Sequence, residues 1–562
     1  MHSSRSLRWS PRWSLAVSLL AVLLALPTLT IVSFVFVPAG EIWHHLADTV
    51  LKDYVVNSVT LLLGVGVLSM IIGVCTAWLT TLCEFPGRRV LQWALLLPLS
   101  APAYIVAFTY SGMLDSSGPV QSLLRNVTGW SLGDYWFPEI HSLPGAVFIL
   151  GLVLYPYVYM LARAAFLEQS VCVLEVSRTL GCGPWRSFLT IALPLARPAI
   201  VAGLTLVAME TLADYGSVQY LGVSTFTTGI FRTWFGLGDA SAAAQLAAVL
   251  LGFIFVLVVL ERLSRRRARY DHTSNKYSRL PRSRLKGGRG VAAMLFCLLP
   301  LTLGFLLPAG QLLLWALQTW HLALDFHFLL LLWNSLWLAS VTAMIAITLA
   351  VFLAYAQRLN PQASVSIPVR LTGMGYAVPG TVLAVGMMIL AGWLDNRVIG
   401  WLESCCNLNP GLLLSGTFIA LIFTYLARFL SVSLNSAEAG FAKIKPSLDD
   451  AARVLGSSPG QIIRRIHLPV MRGTLITAGL LVFVDVLKEL PATLVLRPFN
   501  FNTLAVRAYE LAIDERLAEA ASAGLAIVLA GLIPVILLSR SISRSRPGEG
   551  TNPVEQATTH QQ

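Results

Sequence analysis

The amino-acid sequence predicts an all-α membrane protein of about twelve transmembrane helices in two tandem six-helix repeats. Three observations carry this. The 562-residue chain is 56% hydrophobic and 12% charged, where soluble domains run near 25% charged. Its apolar runs repeatedly reach the roughly 20 residues that a helix needs to cross a bilayer. And one stretch occurs twice: EVSRTLGCGPWRSFLTIALP over 175–194 is matched by DAARVLGSSPGQIIRRIHLP over 450–469. At an offset of 275 residues, Arg178 falls on Arg453, Leu180 on Leu455, Gly181 on Gly456, Pro184 on Pro459 and Pro194 on Pro469. Ungapped identity on this scale marks a duplicated chain.

Spans are expected near 14–37, 55–82, 90–113, 144–166, 195–214 and 241–260, then near 291–318, 329–356, 370–393, 411–434, 470–490 and 520–539. The first run, Ser14 to Val37, is too long for a signal-peptide core and lacks a small-residue cleavage site, so it reads as a retained helix. The repeat extends into the spans. Asn57-Ser58 matches Asn334-Ser335, and Pro102 matches Pro379, both at an offset of 277. A proline inside an apolar run predicts a kink or a break at each place. The expected domains are a first half over 1–261, a basic linker over 262–289, a second half over 290–545 and a polar, disordered tail over 546–562.

The net charge is 40 − 28 = +12. Its placement excludes a nucleic-acid face. Eleven Lys and Arg fall between Arg262 and Arg289, and others, such as Arg88, Arg89, Arg358 and Arg370, flank apolar runs. That is the positive-inside pattern, and it puts the linker, both termini and both repeated stretches in the cytoplasm. The seven cysteines show no ligand spacing, and Cys405 and Cys406 are neighbours that rarely meet disulfide geometry. No disulfide, stable metal site or cofactor is expected.

Each repeated stretch reads as a helical hairpin. Glu175 and Asp450 open a helix, where the macrodipole favours negative charge. Gly181 and Gly456 suit the left-handed residue after its end. Pro184 and Pro459 suit the first turn of the next helix. Pro194 and Pro469 are expected to break or kink the chain before the following apolar run. Ser177, Ala451 and Ala452 are small and would let another surface approach.

The pattern resembles the EAA loop of ABC-transporter permeases: Glu-Ala-Ala, three residues, Gly, nine residues, Ile-x-Leu-Pro. Nine residues separate Gly181 from Ile191 and Gly456 from Ile466. Val176 and Ser177 replace the two alanines in the first copy, and Asp450 replaces the glutamate in the second. The resemblance implies that Glu175, Ser177, Gly181, Asp450, Ala451, Ala452 and Gly456 dock a cytoplasmic ATPase subunit. No GxxxxGK[ST] phosphate loop occurs in the chain, so hydrolysis would belong to that partner.

Each hairpin leads into an apolar span that ends in two carboxylates. Glu210 and Asp214 fall on Asp485 and Glu489 at the same offset of 275. Each pair is spaced i, i+4 on one helix face. Ionisable groups in a membrane segment face a pathway or a partner. Two placements suit them: an acidic throat of hard oxygen ligands for a cation, or capping of a helix end, with Lys488 neutralising one of them. The stretches ETLADYGSVQYLGVSTFTTGIFRTWFG and KELPATLVLRPFNFNTLAVRAYELA resemble the fused, two-half permeases of ferric-iron ABC importers. That resemblance implies a type I importer (MetI-like) permease fold in a bacterial inner membrane. It also implies two copies of the ATPase subunit and a periplasmic binding protein that delivers ferric ion. Thiamine or another small solute is the alternative cargo. A secondary transporter would not need the duplicated hairpin, and the nine histidines form no HExxH or similar pattern that would suggest an enzyme.

Overall fold

A computed structural model describes residues 11–38, 40–168, 183–266, 282–323, 325–407 and 411–544. Among the described residues the regular structure is helical apart from one two-residue parallel pairing, Cys83–Glu84 with Ser283–Arg284, and turns and loops join the helices. Among the described residues, eleven helices are long and apolar enough to cross a membrane, or twelve if one bent pair, Arg88–Ser100 with Ala103–Thr128, forms a single span. Helix Phe326–Leu359 shows how the residues sort. Leu331, Ser335, Leu338, Thr342, Ala346 and Ala350 are buried on one face, while Leu329, Trp333 and Met344 are exposed on the other. A membrane helix needs no polar outer face, so periodicity survives as small and polar residues inward and large apolar ones outward.

Both expected proline breaks occur. Pro102 and Pro379 each stand at the N-cap, with ψ of 139° and 145°, directly before helices Ala103–Leu114 and Gly380–Cys406. The bent pair turns by 92° there. The span expected from 370 therefore begins at Gly380, after a separate helix Ala363–Thr372. The span expected from 411 begins at Phe418, because left-handed Gly411 and Gly416 hold the preceding segment as a loop. Of the break or kink expected at Pro194 and Pro469, the break does not occur. The chain runs on through π turns, Phe188–Ala192 and Ile463–His467, into helices Leu193–Ala213 and Leu468–Leu487. One residue separates each proline from its π turn, and the widened turn absorbs the missing donor and the ring.

The chain forms two compact units that are discontinuous in sequence. One comprises Met1–Leu51, Phe226–Leu251 and Leu322–Arg507, and so is built on the second repeat. In it the N-terminal helix Pro11–Ser33 packs on Gly380–Cys406 and Ala363–Thr372. The crossing is tight: a Cβ on Gly386 would lie 2.2 Å from the Pro27 carbonyl. The other unit comprises Lys52–Thr225, Gly252–His321 and Ala508–Gln562, and is built on the first repeat. In it the helix Leu307–Gln318 packs on Leu517–Arg544. A Cβ on Gly304 would lie 2.6 Å from the Leu152 carbonyl. Close backbone approach through small residues is how helices associate when lipid offers no hydrophobic drive.

Candidate functional site

Two devices stand out. The first is the hairpin after the fourth span of the second repeat: helix Pro446–Val454, a turn, and helix Pro459–Ile462. Gly456 has φ of +80°, the left-handed residue that the sequence calls for. Its N–H donates to Arg453 and that of Ser457 to Ala452, both at 2.9 Å, which closes the helix end as a Schellman motif. Pro459 occupies the first turn of the next helix, and Ser458 with Gln461 forms a capping box.

The hairpin is bound to its own unit from beneath. Asp449, buried, accepts from Arg358 Nε at 2.8 Å and pairs with His467 Nε2 at 2.7 Å. The Arg358 guanidinium also donates to the carbonyls of Phe441 at 2.6 Å and Ile444 at 2.9 Å, so one side chain ties three segments. Tyr355 donates to the Pro459 carbonyl at 3.2 Å, and the Tyr355 and Phe441 rings lie against His467. Burial pushes the Asp449 carboxyl up, but the hydrogen bonds and charges of His467 and Arg358 outweigh it and hold the group below its ordinary value. Ala452 is also turned inward and buried, whereas Asp450 and Ala451 are exposed. Val454 and Leu455 are 86% and 85% exposed, so the tip presents bare apolar surface. In the first repeat, Glu175, Ser177 and Gly181 lie outside the described residues.

The second device is a carboxylate that caps a short helix. Asp214 accepts from the Ser217 and Val218 backbone N–H groups, both at 3.1 Å, and from the Ser217 hydroxyl at 2.9 Å, at the start of helix Gly216–Tyr220. Glu489 does the same for helix Pro491–Leu496. It accepts from Ala492 and Thr493 N–H, both at 3.1 Å, and from the Thr493 hydroxyl at 3.0 Å. Glu489 is further paired with Arg428 at 3.1 Å, a buried ion pair. Asp485, one turn earlier, pairs with Lys488 at 2.8 Å, and Glu210 is half-buried. Asn57 and Asn334 clamp each bend from outside it, donating to the carbonyls of Ser224 at 2.9 Å and Asn502 at 3.3 Å.

The sequence reading missed Arg428, Arg358, Asp449 and His467. An arginine inside the apolar run FTYLARFL was the available signal, since a charge at that depth requires a partner. Gly380 was also missed. A Cβ there would lie 2.5 Å from Glu489 Oε1 and 2.7 Å from Arg428 Nη1, so the ion pair needs glycine at that point.

Among the described residues, eleven or twelve helices are long and apolar enough to cross a membrane, and the hairpin sequence occurs twice in the chain. Residues 7–270 match the family described as the binding-protein-dependent transport system inner membrane component. The match covers 264 of the 562 residues, within the first half of the chain. The internal repeat carries the same architecture through the second half, and the protein is a multi-pass inner-membrane transport component rather than an enzyme. The chain is 26% identical over 544 residues to the Fe(3+)-transport system permease protein FbpB 2 of Haemophilus influenzae, covering 95% of this chain and 99% of that one. It is 23% identical over 504 residues to the ferric transport system permease protein FbpB of Actinobacillus pleuropneumoniae, covering 86% and 69%. Similarity to the molybdenum transport system permease protein ModB of Escherichia coli is 29% over 210 residues, 36% of this chain.

Proposed function

We propose that this chain is the translocating subunit of an ATP-driven importer of ferric iron delivered by a periplasmic binding protein. The observation that carries the cargo is coverage. The Fe(3+) permease of Haemophilus influenzae matches across both repeats, whereas the molybdenum permease matches 36% of the chain. The carboxylates agree, since hard oxygen ligands suit a cation better than an oxyanion. The termini and the 262–289 linker face the cytoplasm, where basic residues concentrate. The two hairpins then each take one ATPase subunit, making two copies. Glu175, Ser177, Gly181, Asp450, Ala451 and Gly456 lie at or near that contact, with Ala452 beneath it and exposed Val454 and Leu455 supplying its apolar area.

Glu210, Asp214, Asp485 and Glu489 divide the pathway role. Asp214 and Glu489 shape the bend by capping the short helices. Glu210 and Asp485, one turn earlier on the same face, meet the passing ion, weakly enough to let it leave.

Reconstituting the chain with its ATPase and candidate binding proteins tests the reading. Ferric-loaded binding protein should raise ATP hydrolysis and drive iron into vesicles; stimulation by a thiamine- or oxyanion-loaded protein instead would overturn it. In the same vesicles, Gly456→Val should weaken ATPase association, because a β-branched residue at φ of +80° costs on the order of 1–2 kcal/mol. Normal association and transport by that variant would remove the docking assignment.

A further inference from the structure

The unit built on the first repeat contains a cavity of about 720 Å³ lined by Asp115, Glu515, His141, Tyr220, Ser111 and Trp315, among others. The unit built on the second repeat contains a cavity of about 790 Å³ at the corresponding place. The correspondence follows from the repeat: Ser111 falls on Met388 at the offset of 277, and Gln219 and Tyr220 fall on Leu494 and Val495 at the offset of 275, all of them lining residues. One copy is lined by two carboxylates, an imidazole and a phenol; the other carries no carboxylate, and its His327, Arg497 and asparagines sit among aliphatic and aromatic side chains. Duplication supplied the hollow twice, and one copy acquired the chemistry of a cation site.

We propose that the first-repeat cavity is an entry station for a hard trivalent cation that keeps part of its water shell, with Asp115, Glu515, His141 and Tyr220 as its oxygen and nitrogen partners. The proposal rests on the ferric-import reading. The groups bear on one another. The Ser117 hydroxyl donates to Asp115 at 3.1 Å, Ser111 and His141 share a hydrogen bond, and the His141 and Tyr220 rings stand 5.8 Å apart. Burial raises the Tyr220 phenol, Ser111 lowers it by hydrogen bonding, and the Glu515 and Asp115 charges raise it, so both carboxylates act on the same hydroxyl. A bound cation reverses the sign of that field and favours the phenol oxygen as a ligand.

Size and looseness fit an aquated ion. Among the described residues, no three His, Cys, Asp or Glu side chains close round one point. The ion therefore keeps water, and six waters at about 30 Å³ each leave ample room in the cavity. An entry site must be weak in any case, or it would not pass its ion on. Position fits too. Trp315 lies in the last turn of the span Gly288–Gln318, at the end remote from the basic linker and so on the periplasmic side in the orientation proposed above.

Terbium(III), a hard trivalent ion whose emission is sensitised by a nearby indole or phenol, is the probe, titrated into the assembled complex of this chain with its ATPase. Asp115→Asn with Glu515→Gln should raise the half-saturating terbium concentration roughly tenfold and slow uptake of radiolabelled iron per complex. Trp315→Phe should dim the emission at an unchanged half-saturation. Ser111→Met with Tyr220→Val installs the residues that the other repeat already carries, so it should fold, and it should also lose the ion. An unchanged terbium titration in both double variants overturns the proposal, as does altered terbium binding with unchanged iron uptake. Loss of stimulation by the binding protein with terbium binding intact overturns it too, and makes the cavity a socket for a basic side chain of that protein. Wild-type complex that imports no iron sinks the ferric reading itself. Wild-type import with unaffected variants sinks only the entry station.

Discussion

The same two places in the two repeats are held by different chemistry. Beneath the second hairpin, Tyr355, Phe441 and His467 surround the Arg358–Asp449 ion pair at 2.8 Å. In the first repeat Trp78 falls on Tyr355 and Phe166 on Phe441, and the cluster is aromatic: Trp78 lies 4.4 Å from Phe188 and 5.8 Å from Phe166, centroid to centroid. Leu174 and Ala192 stand where the second repeat has Asp449 and His467. At the bend, the second repeat uses Gly380, Arg428 and Glu489. The first has Ala103, Val153 and Asp214 at the corresponding positions. The π turn, the asparagine clamp and the carboxylate cap are the same in both. Duplication preserved what the chain path demands and let the side-chain glue diverge, from apolar contact in one copy to buried charge in the other.

The largest effect should separate the two bends. Arg428→Leu leaves Glu489 buried with its charge uncompensated, and breaking a buried pair costs about 3–5 kcal/mol. The counterpart change Val153→Ala removes two methyl groups and should cost about 1–2 kcal/mol. Membrane abundance and thermal melting of the purified protein should fall steeply for the first and slightly for the second. Adding Glu489→Gln to Arg428→Leu should recover part of the loss, because the stranded charge disappears. Equal effects in the two repeats would mean that Arg428 is as dispensable as its valine counterpart.

The hairpin base gives the next largest contrast, and it carries a sign in pH. Asp449 is held below its ordinary value of 3.8 by His467 and Arg358, against burial. A carboxyl with a depressed native value stabilises fully above the unfolded value and loses that contribution as pH falls through the native one. The Asp449 contribution should therefore be constant near neutral pH and fade only below about pH 4, the unfolded value. Asp449→Asn should lose roughly 1.5–3 kcal/mol, the range for hydrogen bonds to charged groups, and should lack the acid step. ATPase association measured against pH reads both. In the first repeat, Phe188→Leu keeps most of the volume and should cost under about 1.5 kcal/mol, with no step. A matching acid step in Asp449→Asn would show that another group carries it.

Span positions, the duplication, the left-handed Gly456, Pro459 in a first turn and the breaks at Pro102 and Pro379 were legible because each rests on local backbone rules. Partnership between helices was not. Pro11–Ser33 packs with the second repeat, and Leu307–Gln318 packs in the unit built on the first. Nothing in a uniformly apolar run specifies its neighbour, since lipid is as apolar as another helix. The π turns were missed for a related reason: Pro194 and Pro469 look like breaks unless the chain can widen one turn ahead of them. The acid pairs were visible, but not their division. The offset of 275 equates Asp214 with Glu489, and no sequence feature says that Arg428 would reach only the second.

The smallest expected effect is the one that should be equal. Asn57 and Asn334 make the same bond in each repeat, side-chain N–H to a loop carbonyl, at 2.9 and 3.3 Å. Neither loop has charge at stake in that bond, so each clamp should contribute about 0.5–1.5 kcal/mol, the usual net worth of a neutral hydrogen bond. Asn57→Ala and Asn334→Ala should lower the melting temperature by similar small amounts, and the double variant should show their sum, since the clamps tie separate pairs of segments and share no partner. Additivity would mark the clamps as inherited copies of one device. A large and unequal response, with one variant far worse than the other, would mean that divergence has reached the backbone supports as well, and that the repeats differ in more than their buried charge.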